Sequence, residues 1–327
     1  MNAPEFWGPG RRAILDRLIT SALAPLGWIY GTVTASRAGK AATWQAPVPV
    51  ICVGNVVAGG AGKTQVCLDL VKRLTAAGKA PHVLTRGYGG ALTGTVRVDP
   101  EKHTAKDVGD EALLLAAHAP VWRSADRVAG AKAACDAGAG VIVMDDGFQN
   151  PTLAKALSVL VVDGAYGFGN GHPMPAGPLR EPVQGALKRA DALVVIGEGD
   201  VETGSSSLPR FRAAIRPASD APDLAGKPVV AFAGIGQPAK FFETLRAQGA
   251  DLVRTEAFPD HHPFTAGDIE PLIADAKARH ATLVTTAKDA VRIPEEMRAD
   301  VTSYPVALTW DDAGAWQAFI LKQSGLN

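Results

Sequence analysis

Val48-Pro-Val-Ile-Cys-Val-Gly-Asn-Val-Val-Ala-Gly-Gly-Ala-Gly-Lys-Thr64 joins a β-branched run to a glycine-rich turn and then to helix-forming sequence. A strand that feeds such a turn presents backbone amides at a helix N-terminus, which is an arrangement for binding phosphate. Gly59, Gly60 and Gly62 keep Cβ atoms out of the way of phosphate oxygens, Lys63 can reach the β and γ phosphates, and the Thr64 hydroxyl suits magnesium. The usual spacing, Gly-x-x-x-x-Gly-Lys-Ser/Thr, would put its first glycine at position 57, where this chain has Val57. Gly54 and the Gly59-Gly60 pair supply flexibility instead, and Asn55, Ala61 and Gln65 complete the stretch expected to hold ATP.

Outward from this loop the chain alternates short apolar runs with helical stretches. Residues 49–53, 63–77 and 81–85 read as strand, helix and strand, and 141–144, 157–162 and 192–196 read as further buried strands. The pattern predicts an α/β protein with a doubly wound, mostly parallel sheet of the P-loop type and a second, smaller α/β lobe. Acidic, Gly/Ser-rich composition over 197–209 and Pro-rich composition over 218–228 bracket a linker at 210–228, within which 210–216 looks strand-like, with the core at 37–209 and the smaller lobe at 229–327.

The run Val141-Ile-Val-Met-Asp-Asp146 is an apolar strand that ends in carboxylates, the means by which P-loop proteins bring an acid beside the nucleotide's metal. Asp145 is the better candidate for Mg2+, which takes hard oxygen ligands and needs only one or two carboxylates beside Thr64 and the phosphates.

Composition excludes several classes. Lys plus Arg and Asp plus Glu number 33 each, without a basic run, so no field attracts nucleic acid. Cys52, Cys67 and Cys135 are far apart in apolar surroundings and read as thiols in a reducing compartment, not as a disulfide framework or zinc site. Residues 18–36 carry no charge and are flanked by Arg11, Arg12, Arg17, Arg37 and Lys40. Pro25, Gly27, Gly31 and several Ser/Thr count against a spanning helix. The need for ATP downstream counts against a cleaved signal peptide. A helix over 1–36 at the membrane interface fits best, with Trp28 and Tyr30 at headgroup level, and an ordinary core helix is the competing reading.

Several segments together resemble the tetraacyldisaccharide 4'-kinase family of the lipid A pathway. They are Val53-Gly-Asn55 with Gly59-Gly-Ala-Gly-Lys-Thr64, Thr85-Arg-Gly-Tyr-Gly89, Val108-Gly-Asp-Glu111, Asp145-Asp-Gly-Phe-Gln149, Pro175-Ala-Gly-Pro-Leu-Arg-Glu181 and Phe258-Pro-Asp-His-His262. Three positions depart from the family pattern: Ala61 stands for Thr, Gln65 for Pro, and Asn150 for a His, which removes a titratable group. The resemblance implies phosphorylation of the 4'-hydroxyl of tetraacyldisaccharide 1-phosphate by Mg-ATP. It implies Asp110 as catalytic base, with His261 of the downstream His pair as its partner and Lys63 on the phosphates.

Glu181 would join Thr64 and Asp145 at the metal, and Arg86, Tyr88, Glu111, Arg127, Gln149 and Arg180 would face substrate. A base on one lobe and its partner on the other imply closure around ATP and lipid. The expected place of work is the cytoplasmic face of the inner membrane, as a peripheral protein, with the lipid A precursor and the membrane surface as partners and no obligate protein partner. A kinase acting on a soluble small molecule and a P-loop nucleotide switch or ATPase are the alternatives. The switch leaves Gly109-Asp-Glu111 and the His pair without work.

Overall fold

The computed structural model describes residues 4–10 and 13–326, so Arg11 and Arg12 of the flanking basic set lie outside the described residues. Nine strands form the larger sheet: β1 (Val50–Gly54), β2 (Pro81–Thr85), β3 (Thr95–Arg97), β4 (Val121–Ser124), β5 (Val141–Asp145), β6 (Leu157–Asp163), β7 (Ala192–Ile196), β8 (Arg210–Pro217) and β13 (Val306–Trp310). The smaller sheet contains β9 (Pro228–Ala233), β10 (Asp251–Ala257), β11 (Thr282–Thr286) and β12 (Thr302–Tyr304), all parallel.

The larger sheet runs β13-β8-β7-β6-β1-β5-β2-β4-β3, parallel except at its two edges, β13 and β3. Strands β1, β2, β5 and β7 are buried along their whole length, as continuous apolar runs demand when helices cover both faces. From β1 the chain proceeds to one side and later returns to the other with β6. The carboxyl end of β1 is therefore a topological switch point, where α/β sheets open a crevice.

The C-terminal boundary differs from the one composition suggests. The strand-like run at 210–216 is strand β8 of the larger sheet and not part of a linker, and β13 pairs antiparallel with it, so the chain returns to the larger sheet after the smaller one. The helix Ala313–Gln323 follows and buries Trp316 completely against Trp310 and Phe211. Both indole N–H groups donate to Asp69 on the phosphate-loop helix Lys63–Ala76.

At the other end, the helix Ile14–Ala38 is 25 residues long and is apolar enough to cross a membrane by length and composition. It docks on the Pro173–Pro182 segment through its glycines: a Cβ on Gly27 would stand 2.5 Å from the Pro173 carbonyl oxygen, and one on Gly31 2.8 Å from the Pro173 ring. The remaining faces expose Ile14, Leu15, Leu18, Leu26, Trp28, Ile29 and Val33 to solvent. The core-helix alternative does not hold, because a core helix buries its large side chains and this one buries its small ones.

Candidate active site

Gly62, in the left-handed conformation at φ 84°, caps the helix that begins at Lys63, so the preceding loop turns its amides toward the crevice. A Cβ on Gly59 or Gly60 would meet nothing within 4 Å, and the loop is an open cradle. Asn55 braces it from beneath: its side-chain amide donates to the Val57 carbonyl at 2.6 Å, and Lys63 Nζ donates to Asn55 Oδ1 at 3.1 Å.

The Asp-Asp-Gly-Phe-Gln run is stapled to this loop. A Cβ on Gly54 would lie 2.4 Å from Phe148 Cβ, so only glycine lets the buried phenylalanine pack there. Gln149 Nε2 donates to the Asn55 carbonyl at 3.0 Å. Asp146, in the left-handed region at φ 48°, ion-pairs with Lys63 at 3.6 Å and takes Arg180 Nη1 on both oxygens at 2.9 and 3.0 Å. Burial would raise its carboxyl, but the charges of Lys63 and Arg180 outweigh burial and hold it low.

Asp145 lies deeper, accepting from Thr85 Oγ1 at 3.2 Å. Burial, together with the charges of Glu111 and Asp146, pushes its carboxyl up to about 7. Thr64 Oγ1 donates to Glu111 Oε1 at 3.3 Å. Thr64, Glu111 and Asp145 are hard oxygen donors beside the cradle, and they fit magnesium, which keeps waters and binds phosphate oxygens. No cluster of three or more His, Cys, Asp and Glu able to hold a metal occurs among the described residues. Any cation here would therefore share its shell with nucleotide and water.

The smaller sheet supplies the opposite wall. His261, also at positive φ (58°), is held by its N–H to the Gly234 carbonyl at 3.0 Å, and its Nδ1 meets Asp110 Oδ2 at 2.8 Å, 151 residues away in sequence. Asp110 opens the helix Asp110–Ala116 and is 4% exposed. Burial alone would raise its carboxyl, yet the His261 hydrogen bond and the charges of Lys288 and Arg292 hold it below the ordinary range. The same hydrogen bond raises the proton affinity of His261 against burial and the Lys288 charge.

Of the two histidines, His261 faces Asp110, while His262 packs between Phe258 and Phe264 and pairs with Asp268. Tyr88 is exposed, with its ring 6.1 Å from that of His261, and Arg86 is exposed nearby in sequence. Ala61 and Gln65 belong to the loop and the first helical turn, Gln65 N–H donating to the Gly62 carbonyl.

Three of the expected site residues are held by the protein's own groups. Glu181 is fully buried, with both oxygens taken by Arg189 and one also by Gln149, so it braces the loop from behind. Arg127 is buried and donates to the Ser124 and Asp145 carbonyls, where it supports the end of β5. Gln149 is likewise committed to Asn55 and Glu181.

Arg180 belongs to the site, but through Asp146. Asn150, the departure from a family histidine, accepts from Thr152 N–H and Oγ1 and closes a turn. Two cations were not singled out from the sequence. Lys288 Nζ lies 3.4 Å from Glu111 and 3.9 Å from Asp110, and Arg292 Nε lies 3.6 Å from Asp110. Their only local signal is a Thr-Ala-Lys-Asp sequence at the carboxyl end of β11, where α/β sheets place functional side chains.

A family model described as Tetraacyldisaccharide-1-P 4'-kinase matches residues 19–324. The tetraacyldisaccharide 4'-kinase of Rhodospirillum centenum is 54% identical over 319 residues, covering 95% of this chain and 94% of its own. That of Paramagnetospirillum magneticum is 53% identical over 315 residues, covering 95% of each chain. The crystal structure of the LpxK from Aquifex aeolicus in complex with ATP superposes with a TM-score of 0.76 at 26% identity, over 94% of this chain and 99% of that one. A match across almost the whole length, with relatives identical at half their positions, means that the chain belongs to the tetraacyldisaccharide-1-P 4'-kinase family.

Proposed function

We propose that this chain transfers the γ-phosphoryl group of ATP to the 4'-hydroxyl of tetraacyldisaccharide 1-phosphate, the 4'-kinase step of lipid A biosynthesis, at the cytoplasmic face of the inner membrane. The observation that carries the reading is the 2.8 Å contact between Asp110 on the larger lobe and His261 on the smaller, directly beside the Thr64–Glu111 hydrogen bond. A nucleotide switch has no use for a carboxylate–imidazole pair there. A kinase needs one to receive a proton from the acceptor.

In this scheme the loop amides and Lys63 bind the triphosphate, and Arg180 adds charge through its hold on Asp146. Thr64, Glu111 and Asp145 would hold magnesium, which would neutralise charge on the phosphates. Asp110 accepts the proton of the 4'-hydroxyl as its oxygen bonds to the γ-phosphorus. The bond from the γ-phosphorus to the β–γ bridging oxygen breaks, and ADP departs with the electron pair. His261 keeps Asp110 ionised and oriented, and closure of the two walls excludes water that would otherwise take the phosphoryl group. The exposed apolar faces of Ile14–Ala38 suit the membrane interface, from which a multiply acylated acceptor is presented.

Transfer of labelled γ-phosphate from Mg-ATP to tetraacyldisaccharide 1-phosphate in mixed micelles tests this directly. Wild type labels the lipid, and both Lys63→Ala and Asp110→Ala lower the rate by about 10²–10⁴-fold. ATP hydrolysis that depends on Lys63 but not on Asp110, with unlabelled lipid, would instead establish the switch.

A further inference from the structure

Lys288 is a cation that the smaller lobe brings to both Glu111 and Asp110 on the nucleotide side. It follows β11 in a short helical turn, Ala287–Ala290, that is anchored from beneath. Thr286 Oγ1 accepts from the Asp289 N–H, and the buried Asp289 carboxylate accepts from the Gly234 N–H and pairs with Arg292. Gly234 in turn holds His261 through its carbonyl. One rigid unit therefore carries both His261 and Lys288.

The position of the amine is informative. Nζ lies 3.4 Å from Glu111 Oε1, 3.5 Å from His261 Nε2 and 3.9 Å from Asp110 Oδ2, and the side chain is 22% exposed. Glu111 Oε1 also accepts from Thr64. Lys288 thus stands between the residue read as the base and the residues read as the metal shell. The attacking oxygen and the phosphorus must approach to about 3–3.5 Å in that interval. Negative charge spreads over the equatorial oxygens of the transferred group there, and a fixed cation in a partly dry cleft stabilises it.

We propose that Lys288 is a catalytic cation, set by the smaller lobe on the acceptor side of the transferred phosphoryl group, opposite Lys63 on the donor side. Thr64 and Glu111 would hold a divalent cation, which would supply charge on the donor side, and Lys288 Nζ, 3.4 Å from Glu111, is within reach of the phosphoryl oxygens from the acceptor side. The inference rests on the kinase reading above. It adds that lobe closure delivers charge as well as excluding water.

The test is steady-state kinetics of the full chain with Mg-ATP and tetraacyldisaccharide 1-phosphate for wild type, Lys288→Met and Lys288→Arg, with melting temperatures alongside. Lys288→Met keeps the length of the side chain and removes its charge. Its kcat falls about 100-fold or more while both KM values stay within about threefold, and Lys288→Arg recovers at least about a tenth of the wild-type kcat. A Lys288→Met kcat within about threefold of wild type overturns the proposal. So does an arginine variant as slow as the methionine one with an equally lowered melting temperature, which would make the lysine a structural tie. Failure of wild type itself to label lipid would count against the kinase reading and is seen separately.

Discussion

The two walls of the site are built differently. The wall formed by β1, β5 and the loops after them is held by packing and short local bonds: Gly54 against Phe148, Asn55 under its own loop, Gln149 onto the Asn55 carbonyl. The wall from the smaller sheet meets the first through ion pairs, with Asp110 facing His261, Lys288 and Arg292, and through a small apolar contact of Ala287 and Val291. Packed contacts are stiff and fail by losing stability. Ion pairs that bridge a cleft can be broken and remade as one wall moves, which suits a wall that must open to admit a lipid. The nucleotide wall is thus preformed, and the acceptor wall is engaged.

The largest stability effect should come from breaking the packed wall. Gly54→Ala drives a Cβ into Phe148, and overpacking of this kind costs about 1–3 kcal/mol. Chemical denaturation should show that loss together with weaker ATP binding. An unchanged midpoint would mean that the Asp-Asp-Gly-Phe-Gln segment moves aside freely and that the first wall is no stiffer than the second.

The smallest effect concerns the engaged wall and its pH dependence. His261 has a raised proton affinity, so its ion pair adds stability fully below the ordinary imidazole pKa of about 6.5 and loses it as pH rises through the higher folded value. Asp110 is held low, so its share is present above about pH 3.9 and is lost only in acid. The melting temperature of wild type should therefore exceed that of His261→Ala by about 1–2 °C near pH 5.5, with the gap closing toward pH 9. A gap that widens with pH would show that the pair is held as neutral imidazole and not as an ion pair.

The same contrast explains what could be read from the chain. The first wall announces itself because its chemistry is contiguous: strand, glycine turn, lysine and threonine lie within one run, and Asp145 ends a strand of continuous apolar residues. Ala61, Gln65 and Asn150 depart from the family pattern at positions with local backbone roles, the first two in the loop and helix start and the third closing a turn. The burial of Glu181 and Arg127 was not legible, because a charged residue beside a motif looks the same whether it faces ligand or is buried against Arg189 or a strand end.

The second wall was only half visible. His261 stood out through its neighbours in Phe258-Pro-Asp-His-His262, but Lys288 and Arg292 gain meaning only from a fold that brings β11 over the helix at Asp110. The return of β13 to the larger sheet was likewise invisible, because the strand itself is short and partly exposed and its reason for being there, Trp316, lies in the helix that follows.

The central claim is that Asp110 and His261 act as one unit across the cleft, and a double-mutant cycle on the transfer step measures it. Single-turnover rates with saturating Mg-ATP and lipid should fall about 10²–10⁴-fold for Asp110→Asn and about tenfold or more for His261→Ala. The double variant should be about as slow as Asp110→Asn alone, because the histidine works through the carboxylate. Independent penalties that multiply in the double variant would contradict the account and leave the 2.8 Å contact as a structural tie between the lobes.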